Sequence, residues 1–127
     1  MRYLLASFLA ATSLVFSVEQ ITTVELCQLI SSKTDLVIAD ARAKKFYTGY
    51  IIPGAVCLYH RMSDEQITTI VPSKDSLIVA YCSSLHCPVS HWLCERLIRM
   101  GYNRVLHYPA GIEGWIAAGN PVQEVKK

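Results

Sequence analysis

Five consecutive apolar residues, Leu77-Ile78-Val79-Ala80-Tyr81, run straight into Cys82 and a short polar loop, and this stretch narrows the possible folds most. A run of that length is a strand buried on both faces, and such strands belong to parallel sheets covered by helices. The loop Ser83-Ser84-Leu85-His86-Cys87 leads to Pro88, which suits a first helical position. Val89, Leu93, Leu97 and Met100 then recur on one helical face, and Gly101 stops the helix after Arg96 and Arg99 in its last turns. Cys82 therefore falls between a strand's carboxyl end and a helix's amino end, where unpaired N–H groups and the positive end of the helix dipole converge. Such a setting favours a thiolate. A reactive role is expected for Cys82 over that of a packed core thiol.

The flanking sequence repeats the alternation of short strands and helices. Thr22-Thr23-Val24-Glu25 reads as a capping box opening a short helix, and Leu36 to Ala39 as a strand that delivers Asp40-Ala41-Arg42. Residues 43–48 suit a single helical turn, Gly49 to Gly54 a loop, and Ala55 to Tyr59 another strand. Ser63-Asp64-Glu65-Gln66 is a second capping box, for a helix reaching about Ile70, and Pro72 to Asp75 is a turn. Beyond the central unit, Arg104 to Tyr108 returns as a strand and Ile112 to Ala118 forms a last helix closed by Gly119. The fold class is α/β, a parallel sheet with helices on both faces, in which ligands gather at the carboxyl ends of strands.

Arg2 followed by the apolar stretch Tyr3 to Phe16 has the form of a secretory signal, with a cut before Val18. The run is short of the roughly 20 residues that a spanning helix needs. The chain thus divides into a signal at 1–17 and one domain at 18–127. A periplasmic or secreted location is expected, with no stable membrane association after cleavage. The net charge of +2 and the absence of Lys/Arg clusters argue against nucleic acid as a partner. All five cysteines (Cys27, Cys57, Cys82, Cys87 and Cys94) lie beyond the signal, so in an oxidising compartment at least one has no partner within the chain.

Several motifs together resemble the rhodanese-like domains. Asp40-Ala41-Arg42 is similar to that family's Asp-x-Arg after an early strand, and Gly49-Tyr50-Ile51-Ile52-Pro53-Gly54-Ala55 to its Gly-His-Ile-Pro-Gly-Ala. Tyr81-Cys82 looks like the end of its cysteine-bearing strand. Gly101-Tyr102, Gly111-Ile112-Glu113-Gly114-Trp115 and Gly119-Asn120-Pro121-Val122 match its closing pattern. The resemblance covers about residues 19–123. It implies a sulfurtransferase: Cys82 takes sulfur from a small donor as a persulfide, the loop Ser83 to Cys87 cradles the outer sulfur, and a thiol (a protein thiol among the candidates) or cyanide accepts it. It implies no cofactor, and a supporting role for Asp40 and Arg42 beneath the site.

The chain departs from the family pattern in two places. Ser83, Ser84, Leu85, His86 and Cys87 carry no fixed positive charge, so the loop lacks what many members use for an anionic donor such as thiosulfate, although a protonated His86 would supply part of it at mildly acidic pH. One residue too many stands between Gly49 and Pro53, with Tyr50 or Ile51 where histidine is usual. The related cell-cycle phosphatases need an arginine six positions after their cysteine, where this chain has Pro88, which excludes that activity.

The cysteines and histidines around the loop leave other readings open. Cys87 could resolve or protect Cys82 through a disulfide, be an inert loop residue, or be the nucleophile itself. Cys82, His86, Cys87 and His91 form a string that fits no standard zinc spacing, and no metal is expected. Cys94 reads as core, as do Cys27 and Cys57; Trp115 reads as a core anchor, and Trp92 as a shield for the loop helix. His60 and His107 fit no constellation. Two other functions stand beside sulfur transfer: a thiol–disulfide redox protein using Cys82 and Cys87, and a non-catalytic binding module.

Overall fold

The computed structural model describes residues 17–32 and 34–126. The segment read as a signal lies, apart from Ser17, outside the described residues. In chain order the elements are β1 (Glu19–Gln20), α1 (Thr23–Ser31), β2 (Leu36–Asp40), a 3₁₀ turn (Lys44–Phe46), β3 (Tyr50–Ile51), β4 (Val56–Cys57), α2 (Asp64–Ile70), β5 (Leu77–Tyr81), α3 (Val89–Arg99), β6 (Arg104–Tyr108), α4 (Gly111–Ala117) and β7 (Gln123–Glu124). Both capping boxes form. Thr22 and Glu25 exchange side-chain-to-backbone bonds at the start of α1, and Ser63 and Gln66 do so at α2.

Five strands form one parallel sheet in the order β1-β6-β5-β2-β4. β5 is central, every residue of it is buried, and it pairs along its whole length with β2 and β6. Alternation along β5 splits the core. Ile78 and Ala80 face Ile67 of α2 and Leu93, Cys94 and Leu97 of α3, whereas Val79 and Tyr81 face Leu26 of α1 and Ile112 and Trp115 of α4. Each fully buried Leu, Ile or Val here contributes about 1.5–3 kcal/mol through the area it removes from water. The register sets Asp40, Tyr81 and Tyr108 side by side at the carboxyl end of the sheet. From β2 the chain passes to β4 on one side and later returns to β5 on the other, so the strand order reverses between β2 and β5. Crevices open at such reversals.

Some expectations are corrected. Of the strand expected at Ala55 to Tyr59, only Val56–Cys57 pairs, because β4 is an edge with β2 as its one neighbour. Part of the expected 49–54 loop is strand: β3 pairs antiparallel with β7, two short elements with no apolar period to reveal them. Pro88 is the N-cap of α3, one position before the helix proper. The buried face of α3 centres on Ser90, Leu93, Cys94 and Leu97, with Val89 and Met100 at its margin. Cys27 and Cys57 are only partly buried; their thiols donate to Asn120 Oδ1 at 3.4 Å and to the Arg42 carbonyl at 3.6 Å. Cys57 lies on the edge strand, and Cys27 stands one position beyond the fully buried Leu26, turned about 100° from it around α1. Cys94 is buried, and burial pushes its thiol pKa up to about 12.

Candidate active site

Cys82 comes directly after β5 and is 2 % exposed, while Cys87 is partly exposed five positions on. The two are joined in a disulfide with Cα atoms 6.3 Å apart. This closes Ser83, Ser84, Leu85 and His86 into a small ring. Cys87 N–H donates to the Ser84 carbonyl at 3.1 Å, and Leu85, at 73 % exposure, forms the ring's outer tip. No hydrogen bond of the described residues engages the N–H of Ser84 or Leu85, which leaves those donors free for an anion.

The helix that bonds to the backbone of Cys82 is α4, whereas α3 begins only after Pro88 and carries no side-chain cap. Ile112 N–H donates to the Cys82 carbonyl at 2.9 Å and Glu113 N–H to the Ser83 carbonyl at 3.0 Å. Gly111 makes this approach possible. Its φ is +67°, and a Cβ there would lie 2.6 Å from the Cys82 carbonyl oxygen and 2.7 Å from the Ser83 carbonyl. The cysteine is thus held from behind by two amides of the last helix.

Beside the loop, on the β2 side, lies a buried polar network in which Arg42 Nη1 alone has no partner among the described residues. Asp40 and Arg42 are both buried and pair twice, Arg42 Nη2 to Asp40 Oδ2 at 2.7 Å and Nε to Oδ1 at 3.0 Å. Arg42 also donates to the Tyr50 carbonyl at 2.9 Å and lies over the Tyr47 ring, 4.7 Å from its centroid. Burial works against its charge, but the hydrogen bond and charge of Asp40 prevail and raise its pKa. Tyr81 donates to Asp40 Oδ2 at 2.7 Å and accepts from Ile52 N–H at 3.1 Å; burial, then the Asp40 charge, push its phenol pKa upward. The network ties the ends of β2 and β5 to the 50–52 segment.

On the other side, β6 and the first turn of α3 bring together His107 and Ser90, for which no sequence motif offered a role. His107, 6 % exposed, has its Nε2 2.7 Å from Ser90 Oγ, and its Nδ1 has no partner among the described residues. Burial, then the neighbouring His91, lower its pKa. The His91 ring lies 6.1 Å from it, and His91 Nε2 lies 3.0 Å from Glu95 Oε1. His86, Cys87, His91 and His107 all border one hollow. The available signal was the alternation of β6, which turns Val105 and His107 toward α3 and Leu106 the other way. Trp92 is 46 % exposed and its ring lies 5.4 Å from that of His60. Among the described residues no three His, Cys, Asp or Glu side chains are placed to hold a metal ion.

The chain is similar in structure to the BH2092 protein from Bacillus halodurans, at 22 % identity and TM-score 0.74 over 84 % of this chain and 77 % of that one. It is also similar to a thiosulfate sulfurtransferase from Pseudomonas aeruginosa, at 19 % identity and TM-score 0.73, covering 87 % of this chain but only 21 % of the larger protein. A rhodanese from E. coli solved with anions aligns at 24 % identity and TM-score 0.58, over 71 % of this chain and 99 % of the other. These likenesses speak for the fold. Comparison with the curated proteins finds no match. The profile of the Rhodanese-like domain matches residues 22–118, a span that takes in the Asp40–Arg42 pair, the Cys82 loop and α4, and the chain belongs to that family.

Proposed function

We propose that this protein is a sulfurtransferase in which Cys82 carries sulfane sulfur and Cys87 can discharge it. The observation that carries this reading is the Cys82–Cys87 bond at the carboxyl end of the central strand. In the reduced chain the Cys82 thiolate attacks the terminal sulfur of a donor. The donor's bond to that sulfur breaks, its electron pair leaves with the remainder, and Cys82 holds a persulfide. The free N–H groups of Ser84 and Leu85 favour the negative outer sulfur. An acceptor thiolate attacks that outer sulfur and departs as a persulfide, restoring the Cys82 thiolate. Without an acceptor, the Cys87 thiolate attacks Cys82 Sγ, the disulfide forms, and hydrosulfide leaves.

The hollows flanking the loop are lined by no Lys or Arg, and one of them contains Glu113. This favours an organic hydropersulfide over a dianion such as thiosulfate as donor. The same disulfide supports a second reading, thiol–disulfide exchange without sulfur carriage. An exported location, read from residues 1–17, accords with either, since an oxidising compartment preserves the closed ring.

Exposure of the fully reduced chain to an organic hydropersulfide, with the excess donor and its thiol removed and hydrosulfide release then monitored, tests the proposal. The wild type is expected to release hydrosulfide and close its disulfide, Cys82→Ser to do neither, and Cys87→Ser to release none until a thiol is added. No sulfur uptake by any form, with reversible disulfide cycling, would move the assignment to thiol–disulfide exchange.

A further inference from the structure

We infer that the Cys82–Cys87 bond is opened from one side, by a small external thiol that enters the hollow next to Cys87 and attacks Cys87 Sγ. Which sulfur of a disulfide is attacked depends on access. Cys82 is 2 % exposed and lines neither of the hollows beside the loop, whereas Cys87 is partly exposed and borders one of them. That hollow has a volume of about 440 Å³ and is walled by Leu85, His86, Pro88, His91 and His107 as well as Cys87. Its size is that of a small-molecule site.

The hollow's walls suit a thiol. Its floor includes the His107 ring, more than nine-tenths buried, bonded through Nε2 to Ser90 Oγ and carrying an Nδ1 with no partner among the described residues. Burial keeps that imidazole neutral near neutral pH. Leu85 and Pro88 supply apolar surface for the stem of the incoming molecule, and no Lys, Arg, Asp or Glu lines the wall. A small thiol fits such a lining.

The step balances as ordinary exchange. The external thiolate forms a bond to Cys87 Sγ, the Cys82–Cys87 bond breaks, and its electron pair leaves on Cys82 as a thiolate. A second external thiolate then attacks the sulfur bound to Cys87, giving the external disulfide and a Cys87 thiolate that takes up a proton. Two external thiols are oxidised and one protein disulfide is reduced. Opening in this order frees the buried cysteine first; only its use in taking sulfur from the next donor rests on the proposed function.

The oxidised full-length protein, treated with glutathione as probe, quenched with N-ethylmaleimide and mapped by tandem mass spectrometry, tests the inference. At least about tenfold more glutathione is expected on Cys87 than on Cys82, with the maleimide on Cys82. Equal labelling, or glutathione on Cys82, would overturn it. Narrowing the mouth with His86→Trp is expected to slow opening by glutathione at least about fivefold; an unchanged rate would remove the hollow as the route. Opening by a protein dithiol such as thioredoxin but not by glutathione would overturn the assignment to a small thiol. A chain with the expected regiochemistry that never takes up sulfur would overturn the sulfur-carrier reading and leave this one in place.

Discussion

The two flanks of the Cys82 loop are built on opposite principles. On the β2 side, Asp40, Arg42 and Tyr81 are buried and bonded to one another, to the Tyr50 carbonyl and to Ile52 N–H. On the β6 side, His86 is exposed, His91 half-exposed, and the buried His107 leaves one nitrogen unpaired beside an open hollow. The first flank is a frame: its polar groups are paired except Arg42 Nη1, and Arg42 is buried and borders neither hollow beside the loop. The second keeps unspent hydrogen-bonding capacity next to a sulfur that solvent can reach. In a parallel sheet both sit at strand ends, so location alone does not separate scaffold from chemistry. Access does: His107, with its unpaired Nδ1, borders an open hollow, whereas Arg42, with its unpaired Nη1, does not.

Substitutions that break this contrast should differ in size. Asp40→Ala strands the buried Arg42 charge and is expected to cost about 3–5 kcal/mol, read by urea unfolding. A loss below about 1 kcal/mol would mean that the pair is not the frame. Gly111→Ala forces a Cβ against the Cys82 and Ser83 carbonyls at a positive φ, with an expected cost of about 2–3 kcal/mol and impaired sulfur loading. Tyr81→Phe leaves Ile52 N–H without its acceptor and Asp40 without a donor, for about 1–3 kcal/mol.

The histidine flank should reveal itself through pH. His107 has a lowered folded-state pKa, caused first by burial, so near and below the unfolded value of about 6.5 the unfolded chain binds more protons than the folded one. Stability conferred by its neutral burial is therefore complete above that pH and declines as pH falls. His60 is shifted in the same direction, by burial and then by Arg61 and Arg96, and contributes to the same slope. His107→Asn should flatten the decline without abolishing it; an unaltered slope in unfolding measured across acidic pH would contradict the assignment. The smallest effect is expected at the loop tip, where Leu85→Ser should change stability by less than about 0.5 kcal/mol.

The central unit was legible because its signals are local. An unbroken apolar run marks β5, capping boxes mark α1 and α2, and Gly101, with φ +98°, ends α3 where its period stops. The residues that hold or surround Cys82 were less legible, because their partners are distant in sequence. The grip of Ile112 and Glu113 on the Cys82–Ser83 backbone joins positions about thirty residues apart. His107 meets Ser90 only because β6 pairs with β5 in the register Ala80↔His107. Tyr81 looked like one more apolar strand residue, and only the pairing Asp40↔Tyr81 shows its hydroxyl capping the Asp40–Arg42 pair.

The most direct measurement is the intact mass of the Cys87→Ser protein after reduction, exposure to an organic hydropersulfide and removal of the excess donor. With the resolving thiol gone, one added sulfur is expected on Cys82, persisting until a thiol is supplied and then departing. A mass that never rises, while the reduced wild-type chain still closes its disulfide, would contradict Cys82 as a sulfur carrier.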